Sequence, residues 1–389
     1  MNEGARRSQA GPLVLRSESW GGLLLDQRHD RIWGFGGPEF AALSAAVAGR
    51  SLPSDRSPSL DAFLNAYGPE APGKDNPYLW DSEYFFGPLP ARETCKLQAP
   101  ISVSWSITNR CQSTCGYCCT SSHPKAHPGG TYEAAVRSID LLAQWGALRL
   151  IVGGGEPLLR DDILQVLEHA RARGLRPTIA TNGLSLLEMD VASLANAVML
   201  VQVSLDSLEE PVYRLVRGTR GGAATVTKAI RELCRLGIPV RVVTVLTRHN
   251  ERHLEALANF LSDEGVGQWF VFLVQPSGRA AIHFERHPPL DFSGAVATLA
   301  ELDARHPALS ISLWGAQAED QLAVTLDSQG DLSLHHYGTG STETLLRLDM
   351  AEPEALETIW ARVSPEAQWT TLVNFTRASR RISRFAEET

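Results

Sequence analysis

Four of the six cysteines in this 389-residue chain stand within nine positions, in the run ITNRCQSTCGYCCT. Cys111, Cys115 and Cys118 give a C-x3-C-x2-C spacing, with Cys119 directly behind. Three thiolates so placed can grip three corners of an iron–sulfur cube and leave the last iron open to a chelating ligand. Structural zinc, the competing reading, usually takes paired C-x2-C half-sites, and the distant Cys95 and Cys234 supply no second pair. A disulfide framework belongs to small secreted chains, and this chain is large, with no apolar stretch of signal-peptide type near its start. Cys234 shares a helical face with Val226, Ile230 and Leu233 and reads as a packed thiol. Cys95 sits in a linker from which it could reach the site as a hydrogen-atom donor.

These thiols need a scaffold, and the pattern around them supplies one. From residue 100 onward, strand-sized apolar runs alternate with helical periodicity: 101–107, 148–152, 177–180, 199–205, 239–246 and 268–274. Between them, Tyr132, Ala135, Val136, Ile139 and Leu142 recur at three- and four-residue steps, as do Leu254, Leu257 and Leu261. Strands separated by helices mean parallel β/α units with right-handed crossovers, in a partly closed barrel or an open sheet. Either places chemistry at the C-terminal strand ends, where the cysteine loop falls.

Successive strands end in further motifs. The second runs into Gly153-Gly154-Gly155-Glu156-Pro157, the third into Thr181-Asn182-Gly183, and the fourth into Val203-Ser204-Leu205-Asp206 with Arg217-Gly218 downstream. Together with the cysteine loop and Tyr117 before its last thiol, they resemble the radical S-adenosylmethionine (SAM) superfamily over about residues 100–280. The resemblance implies a partial (β/α)6 barrel, one [4Fe–4S] cluster on Cys111, Cys115 and Cys118, and SAM as cofactor. It implies cofactor contacts from Tyr117, Gly154, Gly155, Glu156, Asn182, Ser204 and Arg217, with Arg214 and Arg220 as rivals for the carboxylate contact. The activity implied is reductive cleavage of SAM to a hydrogen-abstracting 5′-deoxyadenosyl radical.

The flanks bear on the substrate. Residues 13–36 read as short strands and a helix starts at Pro38, a small α+β module over 13–75 followed by a linker over 76–99. It resembles the winged-helix-like recognition element of peptide-modifying enzymes, which binds a leader peptide by strand addition. After a core of 100–285, residues 286–389 resemble a shortened form of the C-terminal extension of such enzymes, with a hairpin at 322–338 and two terminal helices. That extension elsewhere carries auxiliary clusters; here no cysteine follows Cys234, and His335 and His336 read as hairpin surface. The expected function is modification of a precursor peptide by crosslinking, epimerisation or decarboxylation, with a flavodoxin- or ferredoxin-type reductant. A small-molecule substrate is the alternative within the same chemistry, and a non-catalytic iron–sulfur electron-transfer or peptide-carrier protein the alternative outside it. The formal net charge of -8 speaks against nucleic acid as partner, and the short apolar runs against a membrane span, so a cytoplasmic protein is expected.

Overall fold

The structure, a computed structural model, describes residues 7–10, 13–26, 31–47, 60–61, 63, 85–86, 90–314, 322–336, 339–377 and 382. Most of the linker and its aromatic residues Tyr78, Trp80 and Tyr84 lie outside these.

The N-terminal module is an antiparallel meander of β1 (Arg7–Ala10), β2 (Leu13–Glu18), β3 (Gly21–Asp26) and β4 (Arg31–Gly36). The two-residue β5 (Phe85–Phe86) adds to β4 in parallel. Strand alternation gives this sheet two apolar faces. Leu15, Leu24, Trp33 and Phe35 pack with Phe40 and Leu43 of helix α1 (Gly37–Val47) and with Leu60 and Phe63. Val14, Leu23, Leu25 and Ile32 face the opposite way and join the large core of the rest of the chain.

All six strands expected beyond residue 100 are present: β6 (Ser102–Thr108), β7 (Arg149–Gly154), β8 (Arg176–Thr181), β9 (Leu200–Ser204), β10 (Val240–Leu246) and β11 (Gln268–Leu273). Each pairs in parallel with the next. Helices α2 (Tyr132–Trp145), α3 (Ile163–Ala172), α4 (Val191–Ala197), α5 (Glu210–Arg217), α6 (Gly222–Arg235) and α7 (Leu254–Asp263) fill the connections. Helix α2 starts and stops as its ends dictate. Thr131 accepts from the Ala134 amide at one end, and Gly146 closes the other in the left-handed region (φ 114°).

The parallel series runs past residue 285, through α8 (Phe292–Arg305) into β12 (Ser310–Trp314), which pairs with β11. The tail hairpin of β13 (Leu322–Leu326) and β14 (Asp331–His336) then crosses to the far side of β6, with β13 parallel to it and β15 (Thr342–Arg347) outermost. The result is one ten-stranded sheet whose edges are β12 and β15. Trp314 of β12 and Ala323 of β13 line the same cavity, so the sheet is curled around it. Helices α9 (Pro353–Trp360) and α10 (Pro365–Arg377) finish the chain; Trp360 packs edge-on against Trp145 and donates to the Leu97 carbonyl at 2.8 Å.

A buried ion pair staples the module to the barrel. Arg16 and Glu18 lie on one face of β2, with side chains 2.7 Å apart and both fully buried. Arg16 also donates to the carbonyls of Pro100 and Gly146, and Glu18 accepts from the Gln98 amide. Pro100 and Gly146 precede β6 and β7, so the module docks at the N-terminal end of the parallel strands. Burial pushes the Glu18 carboxyl up against the pull of Arg16.

Candidate active site

A cavity of about 410 Å³ fills the curled sheet. Cys111, Cys115 and Cys118 line its upper edge, on the loop leaving β6. Two other strand ends hold that loop in place. The Gly155 and Glu156 amides donate to the carbonyls of Thr108 and Arg110 at 2.7 and 2.8 Å. A Cβ on Gly154 (φ 115°) would sit 2.4 Å from the Thr108 oxygen, and one on Gly155 would sit 2.2 Å from the Arg110 oxygen. Only glycine permits this approach, so the glycines' visible partner is the entry to the cysteine loop itself. From the other side Arg279 donates to the carbonyls of Cys115 and Ser122, and its amide to the Cys118 carbonyl. Thr114 and Gly116 donate to the carbonyls of Arg217 and Val216 at the end of α5.

Glu156 does not line the cavity. It is fully buried, and its oxygens accept from the Asn182 amide at 2.7 Å, the Thr181 hydroxyl at 2.7 Å and the Leu158 amide at 3.1 Å. Burial raises its carboxyl above the ordinary range, against the lowering effect of those donors. It therefore acts as a strut between β7 and β8 that sets where Asn182 points. Asn182 lines the cavity, with its side-chain amide 3.8 Å from the Cys111 sulfur and 3.3 Å from Gln112 Oε1.

Asp206, Tyr117 and Arg217 form a buried triad. Arg217 Nη1 donates to Tyr117 Oη at 2.7 Å and to Asp206 Oδ2 at 3.0 Å, while the Tyr117 hydroxyl donates to the same carboxylate oxygen. Asp206 Oδ1 accepts from the Val245 amide at 2.8 Å. Ser204 does line the cavity, but Asp206 is the side chain that holds two others, a role invisible until β9, α5 and the cysteine loop converge. Arg217, not the exposed Arg214 or Arg220, lies in the wall, and its charge already has a protein carboxylate.

Cys95 is set apart. It is buried in the core between module and barrel rather than lining the cavity, and burial, then the Glu18 charge, pushes its thiol up to about 12. The hydrogen-donor expectation for Cys95 thus meets a packed thiol, because the linker enters the core instead of running over the surface. Cys119 does line the cavity. His335 and His336 stand on β14, where His335 Nδ1 lies 3.0 Å from the Thr342 hydroxyl.

The sequence reading missed Arg149, Arg241, Phe270, Phe272 and Trp314, all of which line the cavity. A usable signal was present: an arginine inside an apolar strand, in phase with inward-facing neighbours, marks a polar interior.

The residues present fit a cluster with SAM. Burial raises the thiols of Cys111 and Cys115, so metal must displace their protons. Among the described residues, no three His, Cys, Asp or Glu side chains gather closely enough to chelate one ion. What the three loop thiols share is one cavity edge, and a four-iron cube takes its ligands from separated points. Two cavity-lining groups also hold buried atoms without a partner among the described residues, the donor Arg217 Nε and the acceptor Gln275 Oε1. A ligand with both an acceptor and a donor group, such as an amino acid moiety, would satisfy both.

Comparison with known proteins agrees with this geometry. Residues 105–261 match the Radical SAM superfamily model. The chain is 33% identical over 199 residues to the mycofactocin maturase MftC of Mycobacterium ulcerans, covering 49% of this chain and 52% of that protein. It is 27% identical over 182 residues to the AdoMet-dependent heme synthase of Oleidesulfovibrio alaskensis, covering 46% and 47%. The chain thus spans about half the length of the curated relatives it matches. Among solved structures, Streptococcus suis SuiB bound to its precursor peptide SuiA superposes with a TM-score of 0.64 at 14% identity, covering 93% of this chain and 90% of that one. Residues 105–261 are thus similar to the Radical SAM superfamily, and the chain shares the fold of the solved structure. Among the described residues no helix is long and apolar enough to cross a membrane.

Proposed function

We propose that the chain cleaves SAM reductively and modifies a residue of a ribosomally made precursor peptide whose leader docks on the N-terminal module. The observation that carries this reading is the rigid staple between module and barrel. A peptide held on that sheet would sit at a fixed offset from the cavity. The maturase relatives and the fold shared with a peptide-bound enzyme support it.

When bound, the cluster and SAM supply a one-electron cleavage that yields methionine and a 5′-deoxyadenosyl radical. Cys111, Cys115 and Cys118 would hold the cluster, and Asn182, Arg217 and Gln275 offer polar contacts for SAM. Glu156 keeps Asn182 in position, and Asp206 fixes Arg217 and Tyr117. Val243, Val245, Phe270, Phe272 and Trp314 exclude water from the space a reactive carbon would occupy. The only thiols besides these ligands are Cys95, Cys119 and Cys234, too few for a second four-thiol cluster. Outcomes that need no second cluster therefore suit the chain: epimerisation, in which the substrate radical recaptures a hydrogen atom, or crosslinking or decarboxylation with the electron returned to the first cluster, with a flavodoxin- or ferredoxin-type protein as reductant.

Co-expression with candidate short peptides, any encoded beside the gene first, followed by mass spectrometry, tests the reading. A mass change with the wild type and none with Cys118→Ala is expected; an unchanged peptide in both removes the peptide assignment. The heme synthase relatives favour a second reading, a small-molecule substrate. Under that reading, substitutions on the module's sheet would leave turnover of the small molecule unchanged.

A further inference from the structure

Building on the proposed function, we propose that Phe270, Phe272 and Trp314 form a subsite for an aromatic side chain of the substrate, with the Trp314 indole N–H meeting an acceptor oxygen of that substrate. The cavity wall is divided. Where β6 to β9 face it, the side chains are mostly small or polar, among them Ser104, Ala180, Gln202 and Ser204. Where β10 to β12 face it, they are Val243, Val245, Phe270, Phe272 and Trp314 beyond the strand-start Arg241. Asn182, Ser204 and Arg217, the groups that suit SAM, stand on or after the first set of strands. Room for the cofactor lies where side chains are short, which leaves the ring-lined side to face a second ligand.

Strand register places the rings. Residues two apart on a strand share a face, so Phe270 and Phe272 both point inward from β11. Trp314 is the direct cross-strand partner of Phe272 on β12. The two rings are stacked, with centroids 5.5 Å apart and planes 17° apart, and Phe270 is tilted against Trp314 at 5.9 Å. The Arg241 guanidinium lies 4.2 Å from the Phe270 centroid and anchors that ring from one face. Rings gathered in this way are best extended by another ring, offset or edge-on, because an aliphatic group brings the same burial without the quadrupole. Trp314 adds a polar signal. Its Nε1 is buried, can only donate, and has no hydrogen-bond partner among the described residues. Of the described tryptophans with an unmatched indole nitrogen, Trp314 is the one that lines the cavity. A buried donor left unmatched is costly, and here the space in front of it belongs to a ligand.

Two acceptors share this chemistry, a phenolic oxygen on the bound ring and a carbonyl oxygen of the peptide backbone. Anaerobically reconstituted full-length protein would be titrated calorimetrically with three N-acetylated tripeptide amides, glycine–X–glycine with tyrosine, phenylalanine or leucine at X, with and without saturating SAM. The aromatic tripeptides are expected to bind about three- to tenfold more tightly than the leucine one, the worth of a ring–ring contact. Trp314→Leu should erase that preference. Trp314→Phe should keep a ring but lose the N–H. If it removes an advantage of tyrosine over phenylalanine, the acceptor is the phenol; if it weakens both alike, the acceptor is the backbone carbonyl; no change in either overturns the role of the indole N–H. In the wild type, equal binding of all three tripeptides, or binding of none, overturns the proposal. So does a preference that vanishes when SAM is added, because the cofactor's adenine would then hold the wall. These wild-type arms need no variant to fold. Dithionite-dependent SAM cleavage is read in the same preparations. Absent cleavage with the aromatic preference intact would overturn the proposed function and leave the subsite standing.

Discussion

At the scale of single residues, the site depends on buried polar side chains that other elements satisfy. Asp206 is the clearest case, since its removal leaves the Arg217 charge buried and unmatched beside Tyr117. Asp206→Asn is expected to cost about 3–5 kcal/mol of stability, read from urea unfolding of the metal-free protein. A loss below about 1 kcal/mol would mean that solvent already shields the arginine. Tyr117 adds a pH signature. Burial, more than the nearby charges, holds its phenol well above the ordinary value, so the folded state keeps a proton that the unfolded chain sheds near pH ~10. Its contribution to stability is therefore whole below that pH and fades as the pH climbs through the raised folded value. Tyrosinate absorbance of the folded protein should have the same amplitude in wild type and Tyr117→Phe up to the onset of unfolding. One fewer titrating group in the variant near pH 10 would contradict it. The cysteine spacing was legible because ligation needs only neighbours in sequence. The strut role of Glu156 was not, because its acceptors' partners come from β8, and register is a tertiary fact.

At the scale of elements, the strands from Ser102 to Leu273 could be read directly, because parallel strands buried on both faces appear as continuous apolar runs. Strand β12 and the destination of the tail hairpin could not. Antiparallel hairpins look alike wherever they dock, and nothing local says that β13 will lie beside β6. The staple on β2 was equally silent, since Arg16 and Glu18 in alternation read as a solvent face. Breaking that pair should be costly and replacing it should not. Arg16→Met alone is expected to destabilise by about 3–5 kcal/mol, and the double change Arg16→Met with Glu18→Leu to recover most of it. Chemical unfolding of the three proteins decides. A double variant as weak as the single one would show that the contacts to the Pro100 and Gly146 carbonyls, rather than the ion pair, hold the joint.

At the scale of the molecule, module and barrel are one cooperative body. Val14, Leu23, Leu25 and Ile32 share a core with Leu97, Ile101 and Trp145, so deleting residues 1–90 strips an apolar face rather than freeing a domain. The deleted protein should elute as aggregates and bind a hydrophobic dye. A soluble monomer that still binds SAM would refute the single-body description. Substitutions on the module's surface are thus the sound way to probe leader binding.

The pairing of β13 with β6 carries a consequence for biosynthesis. The strand that launches the cysteine loop finds its second neighbour more than two hundred residues later. On the ribosome that strand must wait, one backbone edge bare, until the hairpin emerges, which makes nascent chains stalled before residue 322 prone to aggregation and late cluster insertion the expected order.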